Sequence, residues 1–440
     1  MKKQIAFLLY TSFASGAAHA ALSVHEWGTF TSLVGSNGVT QHGMYHEDEA
    51  LPDFVHGFGE TLATVEPTPT PRPHPPHCGK GACFSDEFFT QNEVTQKMET
   101  PVLYFHSDRN VEVDINVKFP DGVISQTFPA PVKTFPTNES TPVLGNGDTT
   151  FHVKVLSPVE SALNSPSLPS VDPQNIYVHA RGAQANLVQA GNEYEKFIFY
   201  RGLGRFQPKI EIRSRGGELK ISNPPASTSR NVPAIFLVHV DSLGSGQLLP
   251  LGALAVGSGA TVDASTLNNI ADHSNQGVAN LSIKNLGKGF LVAEKAKESL
   301  VSALTGVGLN LDEAQAMVNT WENGYLKVPG LRLLYVLPRE EVEQVLPMQI
   351  SPKPESLTRV FVGRMEVLLD TQEQKILSEI QAQRASFNPF QLGRFAEPML
   401  RRVREVYTIQ TKALEPTMIQ ILDGLIAQTA RGKKPTLDVE

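Results

Sequence analysis

The feature that most constrains the fold is a strict alternation of apolar and polar residues at positions 111–119. The apolar set is Val111, Val113, Ile115, Val117 and Phe119, and the polar set between them is Glu112, Asp114, Asn116 and Lys118. A period of two places one set on a buried face and the other on a wet face of a β-strand. Pro120-Asp121-Gly122 then forms a turn signal, and residues 123–128 are again apolar-rich, so the sequence predicts a β-hairpin here.

Short strand candidates recur through residues 101–245 and predict a β-sandwich or jelly-roll-like body. They are Phe151–Val155, Ile176–His179, Lys196–Tyr200, Lys209–Arg213, Glu218–Ile221 and Ala234–Val240. Many short strands separated by turns are typical of such folds. The 34 glycines and 31 prolines in 440 residues agree with a turn-rich β architecture.

The pattern changes after this body, to a mixed α+β region at 246–369 and a helical tail at 370–440. Asn310 with Glu313 three places on predicts a helix start, and Leu331–Leu337 and Arg359–Leu369 have the composition of strands. In the tail, capping by Thr371 and Gln374 and first-turn prolines Pro398 and Pro416 predict three helices. The fold class is therefore predicted as α+β and β-rich: a sandwich-like body, a mixed α+β part and a C-terminal three-helix tail.

Residues 1–20 have the pattern of a signal peptide. Lys2 and Lys3 precede the apolar run Ile5–Phe13, and Ala18-His19-Ala20 supplies small residues for cleavage after Ala20. We therefore expect a periplasmic or secreted protein. Since no later segment holds about 18 uninterrupted apolar residues, we expect no membrane span after removal of the signal peptide.

The charge balance argues against nucleic acid as a partner. Removing Lys2 and Lys3 from the 38 basic residues leaves 36 against 45 acidic residues, a net charge of −9 for the mature chain. Phosphate backbones repel such a surface unless it carries a local basic stripe. We therefore expect a protein that does not bind nucleic acid.

The two cysteines, Cys78 and Cys83, enclose a short loop that contains two glycines. In an exported protein an even cysteine count favours a disulfide. Closing so short a ring contributes about 2 kcal/mol at best, so the bond would fix one loop rather than the fold. A metal-bound or reactive thiol pair is the alternative.

Histidine is concentrated near the N-terminus, in a segment at 21–100 that includes a proline-rich loop at 65–77. Beyond the signal peptide there are eleven histidines, and six lie within residues 25–77. Imidazole is the commonest metal ligand in proteins, and acidic residues accompany the histidines, which suits zinc or copper. The candidate ligands are His25, His42, His46, His74 and His77. The alternative is that these are solvated loop histidines without a metal.

The triplet His25-Glu26-Trp27 offers a base, an acid and an aromatic platform for a ligand such as a sugar. Glycoside chemistry needs two carboxylates about 5–9 Å apart, a condition that is not specific to any one pair in this chain. Glu26 and Trp27 are therefore ligand-contact candidates. The alternative is a first strand whose Trp27 packs into the core.

The run His25-Glu26-Trp27-Gly28-Thr29-Phe30-Thr31 resembles the opening of a family of exported bacterial proteins of uncharacterised function. Further stretches that resemble it lie at residues 97–105, 195–202 and 358–364. The resemblance covers most of the mature chain. It implies export and one recurring architecture, and it carries over no catalytic residue.

Two functional hypotheses follow from the sequence. The motifs of a Gly-x-Ser-x-Gly hydrolase, a His-Glu-x-x-His protease and a P-loop NTPase are absent from the chain. The first hypothesis is an envelope or extracellular binding or structural protein that engages a glycan or another protein. The second is a metal-assisted hydrolase or oxidase that uses the N-terminal histidines.

Overall fold

The structure is a computed structural model that describes residues 22–46, 51–57, 94–135, 144–241, 243–263, 291–410 and 416–430. The predicted signal peptide, the proline-rich loop at 65–77, His74 and His77, and the predicted Cys78–Cys83 disulfide lie outside the described residues. Strand and helix bounds below refer to the described ranges.

Strands form three sheets. In chain order they are β1 (Leu22–Val34), β2 (His56–Gly57), β3 (Gln96–Ser107), β4 (Val111–Phe119), β5 (Gly122–Phe128), β6 (Lys133–Phe135), β7 (Gly147–Val155), β8 (Val188–Ala190), β9 (Glu193–Glu195), β10 (Ile198–Gly204), β11 (Glu211–Arg215), β12 (Glu218–Ser222), β13 (Val232–Val240), β14 (Gly246–Leu254), β15 (Gly259–Asp263), β16 (Leu291–Val292), β17 (Gly330–Val336), β18 (Met348–Ser351) and β19 (Ser356–Val367). The helices are α1 (Pro158–Asn164), α2 (Tyr177–Ala180), α3 (Ala293–Gly306), α4 (Leu311–Glu322), α5 (Arg339–Val345), α6 (Asp370–Gln383), α7 (Ala396–Gln410) and α8 (Pro416–Ala430).

The largest sheet has ten strands in the order β16-β14-β13-β17-β19-β1-β3-β10-β5-β2. Its central strand β1 runs parallel to β19 and antiparallel to β3. A second sheet holds β18, β4, β7, β8 and β9 with β6 on β7, and a third holds β11, β12 and β15. The strands of the ten-stranded sheet lie between residues 22 and 367. The sheet thus includes parts of all three segments predicted before the tail, at 21–100, 101–245 and 246–369.

Two layers of core lie on the two faces of the ten-stranded sheet. Because successive side chains of a strand point to opposite faces, Val24 and Phe30 of β1 pack toward the second and third sheets, whereas Trp27 packs toward the helices. On the helical side, one apolar cluster lies under α2, α3 and α4, and another under α6, α7 and α8. The predicted β-rich α+β class with a three-helix tail is confirmed. Within the described ranges, no helix is long and apolar enough to cross a membrane.

The predicted hairpin at 111–128 is wrong, because its two strands belong to different sheets. β4 pairs with β7 and β18, whereas β5 pairs with β10 and β2. Every residue of β5 is buried, so this strand needs cover on both faces, while β4 keeps one wet face. The two sheets lie close together here, since a Cβ at Gly122 or at Gly204 would lie 2.4 Å from the Phe119 ring. Glycine at these positions lets the ring fill the space between the sheets.

Two local expectations also fail for identifiable reasons. The sequence predicts a strand at 176–179, but α2 begins at Tyr177, whose N–H donates to the Asn175 side chain at 2.9 Å. This side-chain bond starts a helical turn instead. In the tail, α6 begins at Asp370 rather than after Thr371, and Leu369 N–H donates to Gln372 Oε1 at 2.7 Å. The capping box at Asn310 and Glu313 is confirmed.

Glu26 and Arg359 form a buried ion pair between the neighbouring strands β1 and β19. They are direct register partners, and Arg359 Nε donates to Glu26 Oε2 at 2.5 Å. Their side chains are 0% and 1% exposed. Tyr200 of β10 donates to the other carboxylate oxygen, and Arg359 Nη1 donates to the Leu346 carbonyl at 2.6 Å. A buried carboxylate and its cation are thus each held by a second partner.

We expect Glu26→Ala to lower the free energy of unfolding by about 3–5 kcal/mol, because it leaves the Arg359 cation buried without its counterion. Urea denaturation would measure the change. The control is Glu343→Ala, which breaks an Arg339–Glu343 pair whose side chains are 57% and 47% exposed, and which should change stability by no more than about 1 kcal/mol. Equal effects of the two substitutions would contradict the expectation.

Glu341 of α5 is a buried acid whose charge disfavours the fold. The residue is 5% exposed. Burial raises the pKa of Glu341 to about 7, although Lys209 opposes the shift. Because the folded-state pKa lies above that of the unfolded chain, the folded state binds the extra proton between about pH 4.5 and 7. The contribution of Glu341 to stability is therefore full below pH 4.5 and is lost as the pH rises through 7.

Glu341→Gln should therefore leave stability unchanged at pH 4.5 and raise it at pH 8, by at most about 3 kcal/mol. Thermal unfolding over this pH range measures the difference between the variant and the natural protein. The neighbouring exposed residue gives the control: Glu340→Gln should shift stability little at either pH. A difference for Glu341→Gln that does not depend on pH would refute the assignment.

Candidate metal centre

Two histidines from neighbouring strands lie together on the helical side of the ten-stranded sheet. The antiparallel register of β1 and β3 pairs His25 with Tyr104 and Ser23 with His106, so the two histidines are diagonal neighbours on one face. Their ring centroids are 5.1 Å apart, with 62° between the ring planes. The side chain of His25 is 12% exposed and that of His106 is 28% exposed. Solvent therefore reaches this pair, and His106 more than His25.

Glu313 of α4 completes the group. One carboxylate oxygen, Oε2, lies 2.8 Å from His25 Nδ1, and the other, Oε1, lies 3.0 Å from His106 Nε2. Oε2 also accepts the Asn310 N–H at 2.9 Å, as the third residue of the helix in a capping box. The cap fixes the carboxylate in place, because the side chain is bonded both to its own helix and to the sheet.

The carboxylate of Glu313 is held in its ionised form. Burial alone would raise the pKa of Glu313, but hydrogen bonds from His106, from His25 and from the Asn310 N–H outweigh burial and lower the pKa to about 2. The side chain is 0% exposed, so the charge is stabilised by these donors rather than by water. An anion is thus fixed under two imidazoles at neutral pH.

The three side chains have the chemistry and spacing of a metal site. One ligand atom from each of His25, His106 and Glu313 can be chosen so that all three lie within 4.8 Å of one another. Two imidazole nitrogens and one carboxylate oxygen are the protein ligands of a common class of catalytic zinc site. Zinc is bound by such ligands at about 2.0–2.2 Å. Without an ion the same atoms form the hydrogen bonds given above.

Of the five histidines that the sequence proposes as ligands, the structure places His25 in this group. His46 lies elsewhere: its Nε2 is 3.4 Å from Glu397 Oε2 on α7, beside the Tyr45 ring. His42 is exposed in the loop that follows β1. The described residues therefore do not bring His25, His42 and His46 together. His74 and His77 lie outside the described residues.

Glu26 and Trp27 are both fully buried. Glu26 points to the opposite face from His25 and binds Arg359, while Trp27 packs in the helical-side core with its ring centroid 6.3 Å from that of Tyr104. The structure thus agrees with the alternative interpretation of this triplet, a first strand whose tryptophan packs into the core. Neither side chain presents a surface to a ligand from solvent.

Sequence reasoning missed His106 and the second role of Glu313. The sequence identifies Glu313 as a capping residue, but it lies 288 positions from His25 along the chain. His106 lies next to the last residue of β3, where a lone histidine gives no spacing signal. The register of β1 with β3 brings His25 and His106 together, and a single sequence does not specify that register.

Comparisons with known proteins do not assign a role to the site. No family model matches the chain, and no curated protein matches it. The resemblance to exported bacterial proteins at residues 25–31 stays a prediction.

Proposed function

We propose that the protein is an exported zinc-dependent hydrolase whose metal is bound by His25, His106 and Glu313. The observation that supports this most is the convergence of two partly exposed imidazoles on one buried, fixed carboxylate. Zinc with three protein ligands keeps a fourth position for water and activates that water at neutral pH. Binding of a glycan or an envelope protein stays a prediction from the sequence.

Each ligand has a distinct part in the proposed site. The negative charge of Glu313 favours a divalent cation and offsets part of the free-energy cost of desolvating that cation. Its bond from the Asn310 N–H is the kind of outer contact that orients a ligand for metal binding. His106 lies on the exposed side of the group, so a water or substrate atom can approach the ion there.

Metal analysis of the purified protein tests the proposal. We expect about one zinc ion per chain, and His106→Ala should weaken zinc binding by at least about 100-fold, since even loss of an outer contact costs about 10–100-fold. The matched control is His152→Ala, which removes an exposed histidine that lies 2.8 Å from Asp114 on the second sheet. That variant should retain the metal.

Activity gives the second part of the test. Zinc-loaded protein should hydrolyse members of a panel of ester, amide and glycoside substrates, and a chelator should abolish the reaction until zinc is restored. The His106→Ala variant should be inactive, and His152→Ala should be active. Protein without bound metal, or with a metal that His106→Ala leaves in place, would refute the site. Stoichiometric copper instead of zinc would refute the hydrolase and favour an oxidase.

A further inference from the structure

The end of β3 that carries His106 has a neighbouring strand on one edge only, among the described residues. On that edge β1 continues to pair, and Ser23 is the register partner of His106. On the other edge β10 pairs with β3 from Gln96 to Leu103 and no further. The backbone groups of the last residues of β3 therefore need other hydrogen-bond partners on the β10 side.

Asn186 provides these partners. Its N–H donates to the Phe105 carbonyl at 2.9 Å, its Oδ1 accepts the Ser107 N–H at 2.9 Å, and its Nδ2 donates to the Ser107 carbonyl at 3.0 Å. The same Nδ2 donates to the Leu156 carbonyl at 2.6 Å. Asn186 is 8% exposed, so water competes little for these bonds. The backbone on both sides of His106 is thus bonded to one buried residue.

The same short segment of chain is also bonded to the helix that carries Glu313. The Gln184 N–H donates to Asp312 Oδ2 at 2.6 Å. Asp312 directly precedes Glu313 in the first turn of α4. Residues 184–186 therefore connect the strand of His106 to the helix of Glu313. Such a connection limits the movement of β3 relative to α4, and with it the distance between the two side chains.

We propose that Asn186 and Asp312 are positioning residues that hold His106 and Glu313 at the spacing of a zinc site, a proposal that rests on the zinc site proposed above. Neither residue belongs to the group of possible metal ligands. Contacts outside the ligands orient them, and loss of one typically costs about 10–100-fold in metal affinity. An amide suits the position of Asn186, because the contacts require both a donor and an acceptor on one side chain.

Zinc affinity of two buried-asparagine variants tests the role of Asn186. Asn186→Ala should weaken zinc binding about 10–100-fold and should change the visible absorption spectrum of the cobalt-substituted protein, because the ligand geometry changes. The matched control is Asn223→Ala. Asn223 is 1% exposed, and its Nδ2 donates to the Arg230 and Leu254 carbonyls at 2.9 and 3.2 Å. That variant should lose comparable stability but retain the zinc affinity and the cobalt spectrum of the natural protein.

A pair of substitutions at Asp312 separates its hydrogen bond from its charge. Asp312→Ala removes the acceptor of the Gln184 N–H and should weaken zinc binding about 10-fold or more. Asp312→Asn keeps an oxygen acceptor at this position and should retain most of the affinity. An equal loss in the two variants would assign the effect to the charge of Asp312 and overturn its positioning role.

A measurement without metal distinguishes this proposal from the zinc site itself. In chelated protein, diethyl pyrocarbonate should modify the partly exposed His106 several-fold faster in Asn186→Ala than in the natural protein or in Asn223→Ala. A faster reaction in a protein that binds no zinc would refute the zinc site and still support the role of Asn186. Unchanged zinc affinity in folded Asn186→Ala, or an equal loss of affinity in Asn223→Ala, would overturn the proposal. So would an unchanged modification rate in a protein that binds no zinc.

Discussion

The pairing of β1 with β19 is the constraint on which the rest of the structure depends. Twelve consecutive residues of β1, from Ser23 to Val34, pair in parallel with Ser356 to Val367. The Glu26–Arg359 ion pair lies within this register and joins residues 333 positions apart. A slip of one residue would turn Glu26 toward the helices and leave Arg359 without its counterion. The ion pair therefore specifies the register as well as joining the strands.

This register also determines which side chains of β1 lie on the helical side of the sheet, where the proposed metal site is. Because neighbouring residues of β1 point to opposite faces, fixing Glu26 in the core between the sheets directs His25 toward α4. There it meets Glu313, whose own position is fixed by the capping box of α4. The same register places Thr358 beside His25. One strand pairing thus positions His25 for the proposed metal site.

The sequence predicted elements whose signals lie in a few neighbouring residues. It failed where the contacting residues are far apart in the chain. Alternation at 111–119 correctly gave β4, and capping residues gave the start of α4, because both signals reside in a few neighbouring residues. The hairpin failed because Pro120-Asp121-Gly122 reports a turn but not the sheet to which the chain returns. Likewise the histidine cluster included His25, yet His106 and Glu313, which contact His25, come from another strand and from a helix. Proximity in sequence was a poor guide to proximity in the fold.

A second group of buried charges on the same sheet face shows why the histidine site is the better candidate for chemistry. Glu366 accepts hydrogen bonds from Arg332 Nε at 2.8 Å and from Arg364 Nε at 2.7 Å. Burial would raise the pKa of Glu366, but the two arginines outweigh burial and lower it. These side chains are 0–6% exposed, so no substrate reaches them in this conformation. Arg364 and Glu366 pair with Thr31 and Leu33 near the end of β1, whereas His25 and His106 lie near its start, where the side chain of His106 is 28% exposed. Of the two groups, only the histidine group joins a fixed anion to a partly exposed imidazole, which is what binding and using a metal ion requires.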